Sequence, residues 1–427
     1  MDVAVKNNLL DNIIVPNDVS GDIRKEALVD LQALGLPTSK TEEYKHTAIS
    51  RLLEKNFQHL GVSTEESNTI VDTFRIQDLD AHVLVFINGV FDQTQSVFST
   101  EELNIQPLAA ALAERKDLIE KYFNKLVDTK SDAFVALNTA TWNNGLLIEV
   151  KNNIQVTKPV LIHQINDASK SKVVTASRNL IFIGKSSEVS IIEKYDSIGE
   201  ANFSTTVNEV FVAENAGLTY TLIQNDGGNR YQFNHTSIQQ ESNSRVNCFT
   251  LSLNGKAIRN NLQLSLDGEG IDSHMYGLYL LTGDTLADNH TVADHRKPNS
   301  ISNELYKGVM DGNSKGVFNG KIYVRPQAQK TNAFQSNRNI LLSDKATVNT
   351  KPQLEIWADD VKCSHGCTSG QLDEEALFYM QSRGISKDSA RAFLLYAYAG
   401  EVIEKINNET LRNYIDNLVS ERLHKNF

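Results

Sequence analysis

The sequence predicts a mainly β fold, a β-solenoid flanked by helical regions, and two observations favour it. Between residues 145 and 363, short runs alternate apolar and polar residues, as at Phe249, Leu251 and Leu253, with small polar turns between the runs. No proline stands between Pro159 and Pro298, so every backbone N–H of that stretch can enter a strand ladder. The predicted regions are residues 1–140, mixed but mainly helical, residues 141–363, the solenoid, and residues 364–427, helical.

The solenoid prediction depends on repeated turn-then-strand units. They recur at irregular intervals and begin at Ser187, Gly217, Ser244, Gly270, Ser314 and Ala346. No helical pattern separates them, which argues against strands and helices alternating around a parallel sheet. A solenoid and a large β-sandwich remain, and the end-to-end order of the units favours the solenoid because a sandwich of about 210 residues exceeds the usual domain size.

The flanking regions have helical spacing. Residues 22–34 and 108–127 predict helices before the solenoid, and residues 83–87 predict a strand that ends at an Asn-Gly turn. Residues 363–370 predict a turn, and helices are expected over 373–383, 387–406 and 409–423. We expect this helical tail to cap the end of the solenoid. One apolar stripe on it is also a candidate partner surface, formed by Leu395, Tyr398, Val402 and Ile406.

Charge and composition exclude some partners. The 427 residues carry a formal charge of -11, which disfavours nucleic acid and anionic membrane surfaces. No apolar run is long enough for a membrane span, and the first four residues lack the basic start of a signal peptide, so a cytoplasmic protein is expected. Three cysteines are too few for a disulfide framework and fit a reducing compartment.

The densest chemical cluster lies near the end of the predicted solenoid. Cys363, His365 and Cys367 place two thiols and an imidazole within five residues, and these groups are ligands for zinc, copper or iron-sulfur clusters. A closed metal site normally needs four ligands. Three interpretations remain: a turn with incidental thiols, a metal site completed by a distant histidine, or a site completed by another subunit. The position after a final strand favours the third, because a terminal strand offers unpaired backbone groups to a partner.

Other candidate residues have simpler interpretations. His290 and His295 could form a metal pair, but loop histidines that cap strands or bond to the backbone are the better interpretation. For Cys248, a small strand residue is a better interpretation than a redox or transfer thiol. Residues 316–322 lack the spacing and the hydroxyl of a nucleotide-binding loop, so no nucleotide is expected on this chain. A β-helix carbohydrate-active enzyme and a purely structural adaptor remain as alternative functions.

Several motifs resemble those of the SufB/SufD family of iron-sulfur cluster assembly proteins. They are YKGV at 306–309, GVFNGKI at 316–322, AQKT at 328–331, TKPQLEI at 350–356 and DDVKCSHG at 359–366, and the last resembles the SufD branch. Near the start, Leu36, Pro37, Glu42 and residues 44–47 extend the resemblance over essentially the whole chain. The sequence departs from the family pattern at Cys367, where alanine is usual.

The resemblance implies a fold, partners and site residues. The implied fold is a right-handed parallel β-helix between helical ends. The implied partners are a SufB-like subunit, bound through the β-helix, and a SufC-like ATPase, bound through the C-terminal helical region, with a homodimer as the alternative pairing in isolation. A transient iron-sulfur cluster is implied at the shared interface, with His365 and the adjacent Cys363 contributed by this chain. Cys367 either adds a ligand or fills the position of a small residue.

Overall fold

The predicted solenoid is confirmed in a computed structural model of the chain, which describes residues 8–11, 13–47, 49–63, 67, 69 and 71–426. From residue 146 onward, consecutive strands enter two sheets in turn, so each strand pairs in parallel with the strand two positions further along the chain. One turn takes 26 to 33 residues. The predicted absence of a signal peptide falls on residues 1–7, outside the described residues.

The strands are numbered in chain order. The first sheet contains β1 (His82–Ile87), β2 (Val90–Val97), β5 (Val160–Ala168), β7 (Glu188–Gly199), β9 (Gly217–Asn225), β11 (Arg245–Asn254), β13 (Asp272–Leu281), β15 (Ile301–Met310), β17 (Thr331–Leu341) and β19 (Val361–Gly370). The second contains β3 (Leu103–Pro107), β4 (Leu146–Val150), β6 (Val173–Ile183), β8 (Asn202–Val212), β10 (Arg230–Gln240), β12 (Ala257–Leu266), β14 (Leu286–His295), β16 (Lys315–Val324) and β18 (Thr347–Ile356).

The corners of the solenoid explain the repeated turn signal. In the first sheet, a residue with positive φ precedes every strand from β5 to β17. These residues form one column of corners: Asn153, Ser186, Asn215, Asn243, Gly270, Asn299 and Lys330. Asparagine and glycine tolerate this left-handed conformation better than other residues, which is why they mark the corners in the sequence. The predicted units at Ser314 and Ala346 precede strands of the second sheet instead, and the corner at Asn299 was missed.

In-register stacking places like residues above one another inside the solenoid. Inward-facing side chains of both sheets form one apolar core that runs from Leu84 at the start to Val324 and Ala333 near the end. Because paired residues of parallel strands share a face, an inward residue on one strand predicts an inward residue on the next. This rule locates the side chains of the last turn.

The helices lie outside the two sheets. They are α1 (Gly21–Leu34), α2 (Ile49–Asn56), α3 (Leu108–Glu114), α4 (Lys116–Lys121), α5 (Ala133–Thr141), α6 (Glu374–Ser382), α7 (Lys387–Ile403) and α8 (Glu409–Asn426). The single helix predicted over 108–127 is wrong: Arg115 leaves the helical conformation at φ -122°, which divides it into α3 and α4. None of the helices among the described residues is long and apolar enough to cross a membrane.

The two ends of the chain cover different sheets. α1, α2 and α5 pack with outward residues of the second sheet, such as Phe203 and Phe233. α7 and α8 pack on the outer face of the first sheet, against residues such as Leu278 and Val309. The expectation that the helical tail caps the end of the solenoid is therefore wrong, because the apolar faces of α7 and α8 are used along the side of the solenoid.

The predicted turn at residues 363–370 is also wrong. These residues belong to β19, which pairs along its length with β17. The strand forms because β17 offers a ladder of backbone groups, although two glycines and two serines stand among its ten residues. The proposed boundary at residue 363 thus falls inside the last strand, and β18 and β19 are the terminal strands of their sheets.

Candidate functional site

Strand β19 brings the three predicted site residues onto one face. Cys363, His365 and Cys367 are two residues apart, and alternate residues of a strand point in the same direction. Their partners on β17 are Ala333, Gln335 and Asn337, which are all buried and inward-facing. Cys363, His365 and Cys367 therefore belong to the last layer of the solenoid interior.

This last layer is not covered by another turn. Its other side comes from β18, where Val348, Thr350, Pro352 and Leu354 stack on inward residues of β16 and are only half-buried, while Ile356 is exposed. On β19, Cys363 is half-buried, and His365 and Cys367 are exposed. The layer combines apolar side chains with soft donor atoms, and water reaches them at the open end.

The three cysteines differ in their chemical environment. Cys248 is 1% exposed inside the solenoid, and burial raises the pKa of its thiol to about 12. Burial also raises the pKa of the Cys363 thiol, although a backbone hydrogen bond with Ala333 lowers it. Because the thiolate is the nucleophile and the metal ligand, Cys248 is inert here, while Cys363 and Cys367 are accessible.

The donor atoms of the open layer do not form a metal site by themselves. Among the residues that the structure describes, no group of three or more His, Cys, Asp and Glu side chains has an arrangement that could hold a metal ion. Along the strand, Cys363 and His365 are separated by about 6.6 Å of backbone, the rise of two residues. A metal or cluster bound here would need donors in addition to those that the described residues bring together.

His290 and His295 do not form a site together. Both lie on β14 rather than in a loop, and their odd spacing places them on opposite faces. His290 faces outward, with its Nδ1 3.3 Å from Glu43 and its Nε2 3.0 Å from Asp288. His295 is inside the solenoid, where Nε2 lies 2.8 Å from Ser302 Oγ and burial lowers the pKa of the imidazole to about 4.

The stripe predicted to bind a partner contacts the solenoid instead. Leu395, Val402 and Ile406 are buried in the cluster between α7, α8 and the first sheet. Tyr398 is half-buried there, and its hydroxyl donates a 2.6 Å hydrogen bond to the Arg338 carbonyl. The four side chains are therefore occupied within this chain.

The opposite faces of the C-terminal helices carry aromatic side chains that the sequence analysis did not single out. Exposed fractions are 73% for Phe378 and 60% for Tyr379 on α6, and 52% for Phe393 and 37% for Tyr396 on α7. Four exposed aromatic side chains on two neighbouring helices are typical of a protein-binding surface. We call these four residues the aromatic surface.

Comparison with known proteins decides the family. The model of "SUF system FeS cluster assembly, SufBD core domain" matches residues 163–398, which is more than half of the chain, and that of the "SufBD protein N-terminal region" matches residues 16–162. The chain belongs to the SufBD family. The matched core contains all of the solenoid from β7 onward, including the open layer.

Individual members of the SufBD family match over most of their length. An iron-sulfur cluster assembly SufBD family protein of Synechocystis is 31% identical over 91% of this chain and 88% of its own. The iron-sulfur cluster assembly protein SufD of Escherichia coli is 29% identical over 93% of this chain and 92% of its own. SufD of Bacillus subtilis is 28% identical over 74% of this chain and 73% of its own. The chain is thus a SufD-like iron-sulfur cluster assembly protein, and the carbohydrate-active alternative receives no support.

Proposed function

We propose that this chain is a scaffold subunit that builds or delivers a nascent iron-sulfur cluster at an interface with a SufB-like subunit. The observation that carries the proposal is the position of Cys363, His365 and Cys367 in the last, uncovered layer of the solenoid. A partner that covers this layer would add the missing donors and exclude water from the site. The cluster is the product under assembly, and the chain works in the cytoplasm.

The terminal strands support pairing through the solenoid. β18 and β19 each have one neighbour, so their outer edges present backbone N–H and C=O groups to another chain. Pro352 removes one donor from β18, whereas β19 contains no proline. A SufB-like partner would extend both sheets and bury the apolar side chains of the open layer. In its absence, a second copy of this chain is the alternative occupant of the edges.

Within the shared pocket, each donor has a distinct role. His365 supplies an imidazole as an iron ligand or proton carrier, and Cys363 supplies a thiolate when a metal displaces its proton. Cys367 lies on the same face and is exposed, so it is available as a further ligand, although the family usually has alanine at this position. No hydrolytic or nucleotide-binding role is assigned to this chain.

A SufC-like ATPase is the second proposed partner, and it docks on the C-terminal helices. Leu395, Val402 and Ile406 of the predicted stripe are buried against the solenoid, so the proposed contact moves to the aromatic surface. Lys307 of β15 donates a 2.8 Å hydrogen bond to the Tyr398 carbonyl of α7. A displacement of α7 by the ATPase would therefore also displace the solenoid. ATP hydrolysis by the partner would then change the access to the shared pocket.

The test replaces His365 in the complex with SufB-like and SufC-like partners. The His365→Ala variant is expected to lose cluster formation from ferrous iron and sulfide, as measured by iron content and visible absorption, while the complex still assembles. Ser364→Ala is the matched control, because Ser364 is its exposed neighbour on the opposite face of β19. Undiminished cluster formation by the His365→Ala complex would refute the assignment.

A further inference from the structure

A buried amide and a buried carboxyl group lie directly beneath His365 in the solenoid. His365 pairs in register with Gln335 of β17, and Gln335 pairs with Glu304 of β15. Gln335 is 2% exposed and Glu304 is 4% exposed. The Gln335 amide donates a hydrogen bond of 2.7 Å from Nε2 to Glu304 Oε2. The three side chains therefore form one column that ends at the open layer.

Two oxygen atoms of this column, Glu304 Oε1 and Gln335 Oε1, have no hydrogen-bond partner among the described residues, and the one next to the open layer is that of Gln335. Gln335 Oε1 is buried and accepts no hydrogen bond from any described residue. Buried amide oxygens without a donor are costly and uncommon, so such an atom calls for an explanation. The residue stacked above Gln335 is His365, on a neighbouring strand at a spacing of about 4.8 Å, and its imidazole can donate from either ring nitrogen.

The opposite sheet makes room for the Gln335 side chain. A Cβ atom added to Gly320 of β16 would lie 2.3 Å from Gln335 Nε2, so a larger residue at this position would displace the amide. Because Glu304 accepts from Nε2, the acceptor end of the amide is left for another donor. Burial raises the pKa of Glu304 to about 7, and the hydrogen bond from Gln335 limits that rise.

We propose that Gln335 is a positioning residue for His365: its Oε1 accepts a hydrogen bond from one imidazole N–H once a partner covers the open layer, which leaves the other ring nitrogen for iron. Glu304 holds the amide in the orientation that this contact requires. Histidines that bind metals usually donate their second N–H to such an oxygen, which fixes the tautomer and the ring. The inference rests on the proposed function of His365 as a ligand.

The experiment measures ferrous iron binding to the complex with SufB-like and SufC-like partners. Gln335→Met keeps the length of the side chain and removes the amide, and it is expected to weaken iron binding by about 10–100-fold, the usual loss when a hydrogen-bond partner of a metal ligand is removed. Ser336→Ala, the half-buried neighbour on the outer face of β17, is the matched control and should bind iron like the wild type. Gel filtration checks that each complex assembles.

A reciprocal exchange separates positioning from packing. The double variant Glu304→Gln/Gln335→Glu keeps the hydrogen bond within the pair and again presents an oxygen to His365, so it should recover most of the iron affinity that Gln335→Met loses. An assembled exchange variant that binds iron no better than Gln335→Met overturns the inference. The inference is also overturned if Gln335→Met binds iron with wild-type affinity while His365→Ala has lost iron binding. Wild-type iron affinity of His365→Ala would instead overturn the proposed function itself.

Discussion

Arg178 and Glu209 form a fully buried ion pair that ties the N-terminal region to the solenoid. Arg178 on β6 and Glu209 on β8 are both 0% exposed, with Nη2 and Oε2 2.8 Å apart. Glu209 also accepts hydrogen bonds from the backbone N–H groups of Asn124, Lys125 and Leu126, in the segment that follows α4. One carboxylate thus accepts hydrogen bonds from a buried guanidinium and from three backbone N–H groups.

Removing that carboxylate should be strongly destabilising. Glu209→Ala leaves the buried Arg178 guanidinium without its counter-charge and three backbone N–H groups without their acceptor, and we expect it to lower the free energy of unfolding by about 3–5 kcal/mol. Urea unfolding followed by circular dichroism measures the change. Glu188→Ala is the control, because the Glu188–Arg245 pair is about half exposed and should contribute about 0–1 kcal/mol. Equal effects of the two substitutions would contradict this account of the buried pair.

Single residues of the site were predictable to different degrees. Cys363, His365 and Cys367 were found from their side-chain chemistry, because thiols and imidazoles are rare enough to stand out when clustered. Gln335 and Glu304 were not, since each is an ordinary polar residue in its own strand. Only the register of β15, β17 and β19 brings them beneath His365, and that register is a property of the folded solenoid.

The helix α7 has two faces with different roles. Leu395 is 0% exposed against the solenoid, whereas Phe393 is 52% exposed on the aromatic surface. The apolar spacing of the sequence identified a stripe on α7 but not the surface that the stripe packs against. In the folded chain that surface is the outer face of the first sheet. The same limit applies to β19. Its polar sequence predicts a turn, but these residues form a strand because β17 lies beside them and pairs with them.

Substitutions on the two faces of α7 should separate folding from partner binding. Leu395→Ala removes buried side-chain volume, so we expect it to lower the free energy of unfolding by about 2–5 kcal/mol. Phe393→Ala should change stability by less than about 0.5 kcal/mol and weaken binding of the SufC-like ATPase about tenfold, because exposed aromatic residues often dominate interfaces. Calorimetry gives both quantities. ATPase affinity that Phe393→Ala leaves unchanged would argue against the aromatic surface as the docking site.

The two ends of the solenoid differ in strand pairing and in how well the last interior layer is covered. At the start, the antiparallel pairs β1–β2 and β3–β4 terminate the two sheets. At the other end, β18 and β19 leave a layer of the interior uncovered. The sequence predicted the solenoid well because each turn repeats its corner residues. It could not predict which end is open, because that depends on where the flanking helices pack.

Chemical modification of the cysteines tests the shared pocket most directly. In the isolated chain, iodoacetamide followed by mass spectrometry should label Cys367 and, more slowly, Cys363, whereas Cys248 stays protected by burial. In the complex with a SufB-like subunit, we expect Cys363 and Cys367 to be protected as well, because the partner covers the open layer. Labelling of both cysteines at the same rates in the complex as in the isolated chain would contradict the account.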